Sequence, residues 1–328
     1  METNFVLDVE KRKLRLRPLI DKALKGDRLI PTFGMQLEDW LVIRQMLGLG
    51  GSEVPTVLGL DEYMSPFQLW KGKVGDEIEV IENKFTWWGI EFEAPIARRY
   101  EKLTGRTLIE DPYIRIHPKY DNLFVNLDRV IADNGDGKGA GVFEAKSTDR
   151  NVYRTWATKY ENFQGIPPNY FTQVQHELSV SGLKWAILCV FILDQREIVN
   201  IPIERDDAYI EKQNLAVNAW WNAYVVNVVP PPMDAADYSF VEPIPETVVE
   251  IDEEIQKLLP ELLDKKEQYK LLKVDIDELT DKVKTFIGDN EGLTQNGKVI
   301  ATYKMIKKKE YLVKAHSERQ LRFKKEKE

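Results

Sequence analysis

The stretch VNLDRVIADNGDGKGAGVFEAKSTD, residues 125–149, decides how the chain is read. Residues 133–141 concentrate Asp, Asn and Gly and predict a turn. The flanks, residues 123–131 and 140–147, predict the two strands of a hairpin. Asp128 then lies on one strand, and Glu144 and Lys146 on its neighbour. Glu144 and Lys146 are two residues apart, so they share one face of the sheet. Asp128 and Glu144 supply hard anionic oxygens of the kind Mg2+ takes, and the main-chain carbonyl of Ala145 lies close enough to add another. Lys146 can orient a water or stabilise developing charge. Metal-assisted phosphodiester hydrolysis is built this way. Alone the pattern is a weak signal, because Glu-x-Lys on a strand face equally describes a salt-bridged surface.

Outward from this stretch, the chain alternates helical and extended patterns. Residues 1–35 read as helical and charged, then irregular around Pro31, and residues 40–47 as a short helix or strand. Ser52 is read as the N-cap of a helix over residues 53–58, and Ser65-Pro66 as the start of another. Residues 87–104 predict a long helix closed by Gly105. Residues 169–181 predict a helix after Pro167-Pro168, residues 184–193 and 197–203 two strands, and residues 206–225 a helix. This order describes an α/β domain with a mixed central sheet flanked by helices. The expected organisation is an extension over 1–39, a core over 40–228, a Pro-rich acidic linker over 229–245 and a mostly helical C-terminal extension over 246–328. In that extension Leu272, Ile276, Leu279, Val283 and Phe286 mark one apolar helix stripe, and Pro260 is expected to kink or split the segment. Residues 297–308 and 311–323 are expected to add a strand or two and a short helix.

The 328 residues, 43% of them hydrophobic, suffice for a large core with an appendage. No apolar run approaches a membrane span, and the charged N-terminus lacks an apolar signal core, so a cytoplasmic protein is expected. The single cysteine, Cys189, falls in an apolar run and predicts a core residue. One Cys and three scattered His argue against a zinc site or an iron–sulfur cluster. The net charge of −8 argues against nucleic-acid binding over the whole surface but leaves room for a local basic channel.

Five blocks in order resemble the phage lambda-type exonucleases, also called YqaJ-type viral recombinases, of the PD-(D/E)XK nuclease superfamily. They are WLVIRQMLGLGGSEVPTVLGLDEYMSPFQLW (40–70), GIEFEAPIARRYEKLTG (89–105), NLDRVI (126–131), VFEAKS (142–147) and IPPNYFTQVQHELSVSG (166–182). The resemblance implies a PD-(D/E)XK restriction-endonuclease-like core and a Mg2+-dependent (Mn2+ substituting) exonuclease. Such an enzyme resects double-stranded DNA from the 5′ end and leaves 3′ tails for a single-strand annealing recombinase. It implies a homo-oligomer, a trimer in the family, and a phage-encoded protein in a bacterial cytoplasm. Two other readings stay open: an endonuclease of the same superfamily, and a catalytically silent DNA-end-binding module.

The resemblance also assigns roles. Asp128, Glu144 and the Ala145 carbonyl would hold the metal, with Glu93, four residues after Gly89, reaching it from the long helix; Glu91 is the competitor. Lys146 would position the attacking water, and Gln173 would bond near the phosphate or the lysine. Arg44 and Ser52 would form a pocket for the 5′-phosphate, where a plain N-cap is the other reading of Ser52. Arg150 and Arg154 are candidates for a second basic residue there. The family's Ser-Pro-Asp is Asn126-Leu127-Asp128 in this chain, so Asn126 would take the serine's place in the pocket. Gln175 is expected to face solvent, and His176 to be structural. Trp156, Tyr160, Phe163 and Tyr170 could stack on bases or pack in the core.

Overall fold

In the computed structural model, which describes residues 2–75, 84–241 and 248–305, the chain opens with α1 (Glu2–Lys25) and β1 (Leu29–Pro31). The helices α2 (Leu37–Leu47), α3 (Val54–Val57), α4 (Pro66–Val74) and α5 (Lys84–Thr104) follow. Five strands come next: β2 (Leu108–Ile109), β3 (Tyr113–Ile116), β4 (Phe124–Val125), β5 (Arg129–Ile131) and β6 (Gly141–Thr148). Then come α6 (Arg150–Lys159), α7 (Pro168–Ser181), β7 (Trp185–Ile192), β8 (Glu197–Glu204) and α8 (Asp207–Trp220). The helix α9 (Glu253–Ile287) and the strands β9 (Gly292–Gln295) and β10 (Lys298–Thr302) complete the described elements. The chain divides into two units, Met1–Val241 and Glu242–Glu328.

The first unit is built on a mixed five-stranded sheet in the order β2-β5-β6-β7-β8. Only β6 and β7 run parallel; the other neighbours are antiparallel. The central strand β7 is apolar on both faces because both are covered. Leu188 and Val190 join Val142 of β6 and Val174 and Leu178 of α7 in one cluster. Cys189 joins Phe143 and Ala145 of β6 and Ile96, Ala97 and Tyr100 of α5 in another. Each fully buried side chain of this size contributes about 1.5–3 kcal/mol. The layers are therefore stable enough to carry polar groups at the end of β6.

Local signals fix the helix ends. Ser65 and Gln68 form a reciprocal capping box at the start of α4, with Pro66 in the first position. Gly105 (φ 69°) and Gly182 (φ 75°) stop α5 and α7 in a left-handed conformation that glycine adopts without strain. At α3 the sequence expectation fails: the N-cap is Glu53, not Ser52. The Glu53 carboxylate turns back to accept the Gly50 N–H at 2.7 Å, and this closes the turn one residue later than Ser52 would.

The expected first hairpin strand, residues 123–131, is two strands. β4 pairs with β3 in a separate three-stranded sheet, β1-β3-β4, while β5 pairs with β6. The break falls at Asn126–Asp128, where polar side chains replace ladder bonds. Asn126 donates to the Tyr113 carbonyl (3.1 Å), and Asp128 accepts the Ala145 N–H (2.8 Å).

The first 39 residues pack into this unit: Leu16, Ile20 and Ala23 of α1 share a core with Ile30, Val42, Ile114 and Phe124. In the second unit α9 runs unbroken through Pro260, so the expected split does not occur. Pro260 lies near the helix start and removes a single backbone hydrogen bond from a long ladder. β9 and β10 form a hairpin across Asn296-Gly297, both at positive φ as a tight hairpin turn requires. Residues 311–323, expected to form a helix, lie outside the described residues.

Candidate active site

Asp128 immediately precedes β5. The pairing of Arg129 with Phe143 places it opposite Glu144. Its Oδ2 accepts the Ala145 N–H at 2.8 Å. The N–H and C=O of one strand residue point the same way. The Ala145 carbonyl therefore shares this edge, where β5 has ended.

Glu144 and Lys146 project from the face of β6 that meets α7. Glu144 is 2% exposed, and a buried carboxylate needs donors. It has two: Lys146 Nζ at 2.5 Å and Gln173 Nε2 at 2.6 Å, both on Oε1. The Lys146 ammonium also lies 5.5 Å from the centre of the Tyr170 ring. Glu93 reaches the same field from α5. Burial, and then the Glu144 charge, push its carboxyl above the usual range. Glu91 is exposed, so of the two candidates Glu93 is the one that faces the cluster. Burial followed by Glu144 and Glu93 push Asp128 well above its ordinary value. For Lys146, burial pulls the ammonium down, but Glu144 and Asp128 outweigh it and the net shift is upward.

A further carboxylate belongs here that sequence reasoning missed. Glu177 is 1% exposed and accepts from Gln173 Nε2 at 2.9 Å. Burial, then Glu144 and Asp128, raise it well above the ordinary range. The Gln173 amide nitrogen thus bridges two buried carboxylates, which fixes the orientation of the amide. The Gln173-x-x-x-Glu177 spacing was the available signal, since it puts both side chains on one helix face.

The charge balance of this cluster is excess carboxylate against one ammonium. Among the described residues no three carboxylate, imidazole or thiolate groups stand close enough to enclose a cation by themselves. A hard divalent cation such as Mg2+ needs less, because it keeps several waters and binds through one or two carboxylates. Asp128, Glu144 and the Ala145 carbonyl, with Glu93 beside them, are hard oxygen donors of that type. The upward shifts of Asp128 and Glu93 mark negative charge that a cation would relieve.

The Gly50–Gly51 turn adjoins the cluster. A Cβ on Gly51 would meet Gln173 Cγ and Glu177 Oε1 at 3.4 Å, and one on Gly50 would meet the Arg44 guanidinium at 2.9 Å. Arg44 lies over Trp40 (4.6 Å) and Phe124 (5.3 Å) and pairs with Glu53 at 3.6 Å. Lys73 Nζ pairs with the same Glu53 oxygen, Oε1, at 2.8 Å. Ser52 is exposed beside this turn. Asn126 accepts from Trp40 Nε1 at 3.2 Å, so it holds the ring beneath Arg44. Arg150 and Arg154 are exposed on α6, directly after β6.

Other expectations resolve as packing. Gln175, expected in solvent, is fully buried: it donates to the Glu204 carbonyl (2.8 Å) and accepts the Asp206 N–H (2.9 Å), tying α7 to the end of β8. The reason is that α7 is covered by both the sheet and α8, so it has little solvent face. His176 is buried with Nε2 on the Phe124 carbonyl at 3.1 Å, a structural role. Trp156 is a core residue, and Tyr160, Phe163 and Tyr170 pack half-buried against the same cluster.

Residues 39–184 match the YqaJ-like viral recombinase domain, a span that contains Arg44, Glu93, Asp128, Glu144, Lys146, Gln173 and Glu177. That matched span is less than half of the chain. The chain is similar to the uncharacterized protein YqaJ of Bacillus subtilis (strain 168), 30% identical over 205 residues. That alignment covers 62% of this chain and 60% of the relative's length. Among solved structures, the alkaline exonuclease LHK-Exo from Laribacter hongkongensis aligns with 58% of this chain and 95% of its own, at 21% identity and a TM-score of 0.47. A phage related exonuclease from Haemophilus somnus 129PT aligns with 56% of this chain and 97% of its own, at 14% identity and a TM-score of 0.42. The matched span lies wholly in the first unit and contains β5 and β6. No helix among the described residues is long and apolar enough to cross a membrane.

Proposed function

We propose that the protein is a Mg2+-dependent exodeoxyribonuclease. It would degrade duplex DNA from the 5′ end and leave 3′ single-stranded tails for a single-strand annealing recombinase. The observation that carries this reading is the convergence of Asp128, Glu144, Lys146 and Glu93 from three elements, with Gln173 bonded to Glu144. The match of residues 39–184 to the YqaJ-like viral recombinase domain supports it. Mg2+, or Mn2+ in its place, would supply Lewis-acid polarisation of the scissile phosphate and a nucleophile near neutral pH.

The chain's own residues do the rest. Asp128, Glu144, the Ala145 carbonyl and Glu93 provide the oxygen donors. Lys146, kept charged by its two carboxylate neighbours, stabilises negative charge as it builds on the phosphoryl group. Gln173 holds Glu144 in place. Arg44, with the exposed Ser52 hydroxyl, receives the terminal 5′-phosphate as a fork-and-hydroxyl anion site. Asn126 keeps Trp40 under the Arg44 guanidinium, and Arg150 and Arg154 offer charge to the DNA backbone. Assembly as a homo-oligomer around DNA belongs to the same reading.

The test compares three substrates with Mg2+ and with EDTA: linear duplex with a 5′-phosphate, linear duplex with a 5′-hydroxyl, and covalently closed circles. Degradation of 5′-phosphorylated ends that stops in EDTA is expected. Cutting of closed circles would instead establish an endonuclease. Equal rates on the two linear substrates would remove the phosphate pocket from Arg44 and Ser52.

A further inference from the structure

The helix α9 is 35 residues long, or about 52 Å at 1.5 Å per residue. Of its residues only Ile287 is buried. A free helix of this kind draws little stability from propensity alone and needs an apolar face covered. Most of its apolar residues follow a seven-residue repeat, with Leu259, Leu263, Leu271, Val274 and Ile287 outside it. Ile255, Leu262, Tyr269, Ile276 and Val283 occupy one position of the heptad; Leu258, Lys265, Leu272, Leu279 and Phe286 occupy the position three residues later. Nine of these ten are apolar, and all nine are exposed in the second unit. A repeat of 3.5 residues, in place of 3.6, marks a left-handed supercoil with another helix.

We propose that α9 pairs in parallel and in register with α9 of a second copy of this chain, as a two-stranded coiled coil over residues 261–287. The flanking charges select both occupant and direction. In a parallel pair each residue before the first core position faces the residue five further on in the partner helix. This sets Glu261 against Lys266 of the second copy, Gln268 against Lys273, and Asp275 against Thr280, with no like charges opposed at these flanking positions. An antiparallel pair would set Lys273 beside its own counterpart and Asp275 beside its own, both repulsive. β-Branched Ile276 and Val283 at the first core position, with Leu272 and Leu279 at the second, favour two strands over three. Lys265, the polar exception, binds Glu261 of its own helix at 2.6 Å. In register it meets its own counterpart, which costs stability at that layer, and the Glu261 carboxylate of each helix offsets part of that charge.

The full-length chain tests this. Its mass is measured by light scattering over a range of concentrations, beside a Leu272→Asp, Leu279→Asp double variant. The mass of the variant is expected to fall below that of the parent, to half of it where α9 is the sole contact between copies. Separately, Leu279→Cys is oxidised under non-denaturing conditions. A parallel pair brings the two cysteines together and gives a covalent dimer that dithiothreitol reverses. An antiparallel pair would hold them about 15 Å apart along the axis. The only native cysteine, Cys189, is buried and does not compete. The control, Asp281→Cys on the outer face, is expected to stay uncrosslinked. Unchanged mass in the Asp variant would overturn the proposal, because the stripe would then be covered by something other than a second copy. Cross-linking of residue 281 as readily as residue 279 would overturn it equally.

Discussion

The Glu144 side chain is buried, and its Oε1 receives both the Lys146 ammonium and the Gln173 amide. Removing either donor therefore affects the fold as well as the chemistry. Lys146→Ala is expected to lower hydrolysis by roughly 10²–10³-fold or more, while affinity for linear duplex stays near the parent's, as gel-shift titration in Ca2+ would show. A variant that degrades DNA at the parent rate would take Lys146 out of the reaction. Glu177 makes a different prediction. Its carboxylate is buried near Glu144 and Asp128, and its Oε2 has no hydrogen-bond partner. Glu177→Gln removes a charge from that field and keeps an oxygen to accept from Gln173. Scanning calorimetry at pH 8 in EDTA is expected to give a higher melting temperature than the parent's. A lower one would mean that the ionised carboxylate supports the fold. These two residues also show how far side-chain roles could be read in advance. Glu144 and Lys146 were legible because the strand period of two is rigid. Glu177 was not, because a glutamate on a polar-patterned helix reads as a surface residue until the Gly51 turn is seen to lie over it.

At the level of elements, α5, α7 and the central strand β7 were legible from apolar period and from Gly and Pro punctuation. The division of residues 123–131 into β4 and β5 was not. It depends on Asn126 and Asp128 bonding across to Tyr113 and Ala145, partners distant in sequence. The junction after β3 carries a pH signature. His117 Nδ1 accepts the N–H groups of Lys119 (2.9 Å) and Tyr120 (3.2 Å), which requires a neutral ring. Burial first, then Arg28, Arg205 and Lys119, lower its pKa to about 4. Between pH 6.5 and 4 the unfolded chain binds a proton here that the folded chain does not. Stability contributed by this group is thus present above pH 6.5 and is lost as pH falls toward 4, by up to about 1.4 kcal/mol per unit. His117→Gln is expected to be less stable at pH 7 and to show a shallower fall over this window in urea denaturation. An unchanged slope would show that His117 takes up its proton alike in the folded and the unfolded chain, with no lowering by burial.

At the scale of the whole molecule, the division after Val241 falls within the Pro-rich acidic stretch 229–245, beyond which the composition changes. Nothing in periodicity alone could say that the first 39 residues build a core with α2 and β3, because their partners lie up to a hundred residues away. Among the described residues, the buried clusters that hold its helices and sheets together lie in the first unit. It also contains every carboxylate, the lysine and the glutamine of the candidate site. Neither set of interactions draws on α9, β9 or β10. A chain ending at Val241 is therefore expected to fold cooperatively. It should also release nucleotides from linear duplex in Mg2+ at an initial rate within about threefold of the parent, a barrier change under 1 kcal/mol. The measurement is a first-turnover assay at excess enzyme, which does not depend on how long each molecule stays on its DNA. If the truncated protein melts in a single transition but releases nothing, residues after Val241 take part in the reaction, and the active site is larger than the cluster around Glu144.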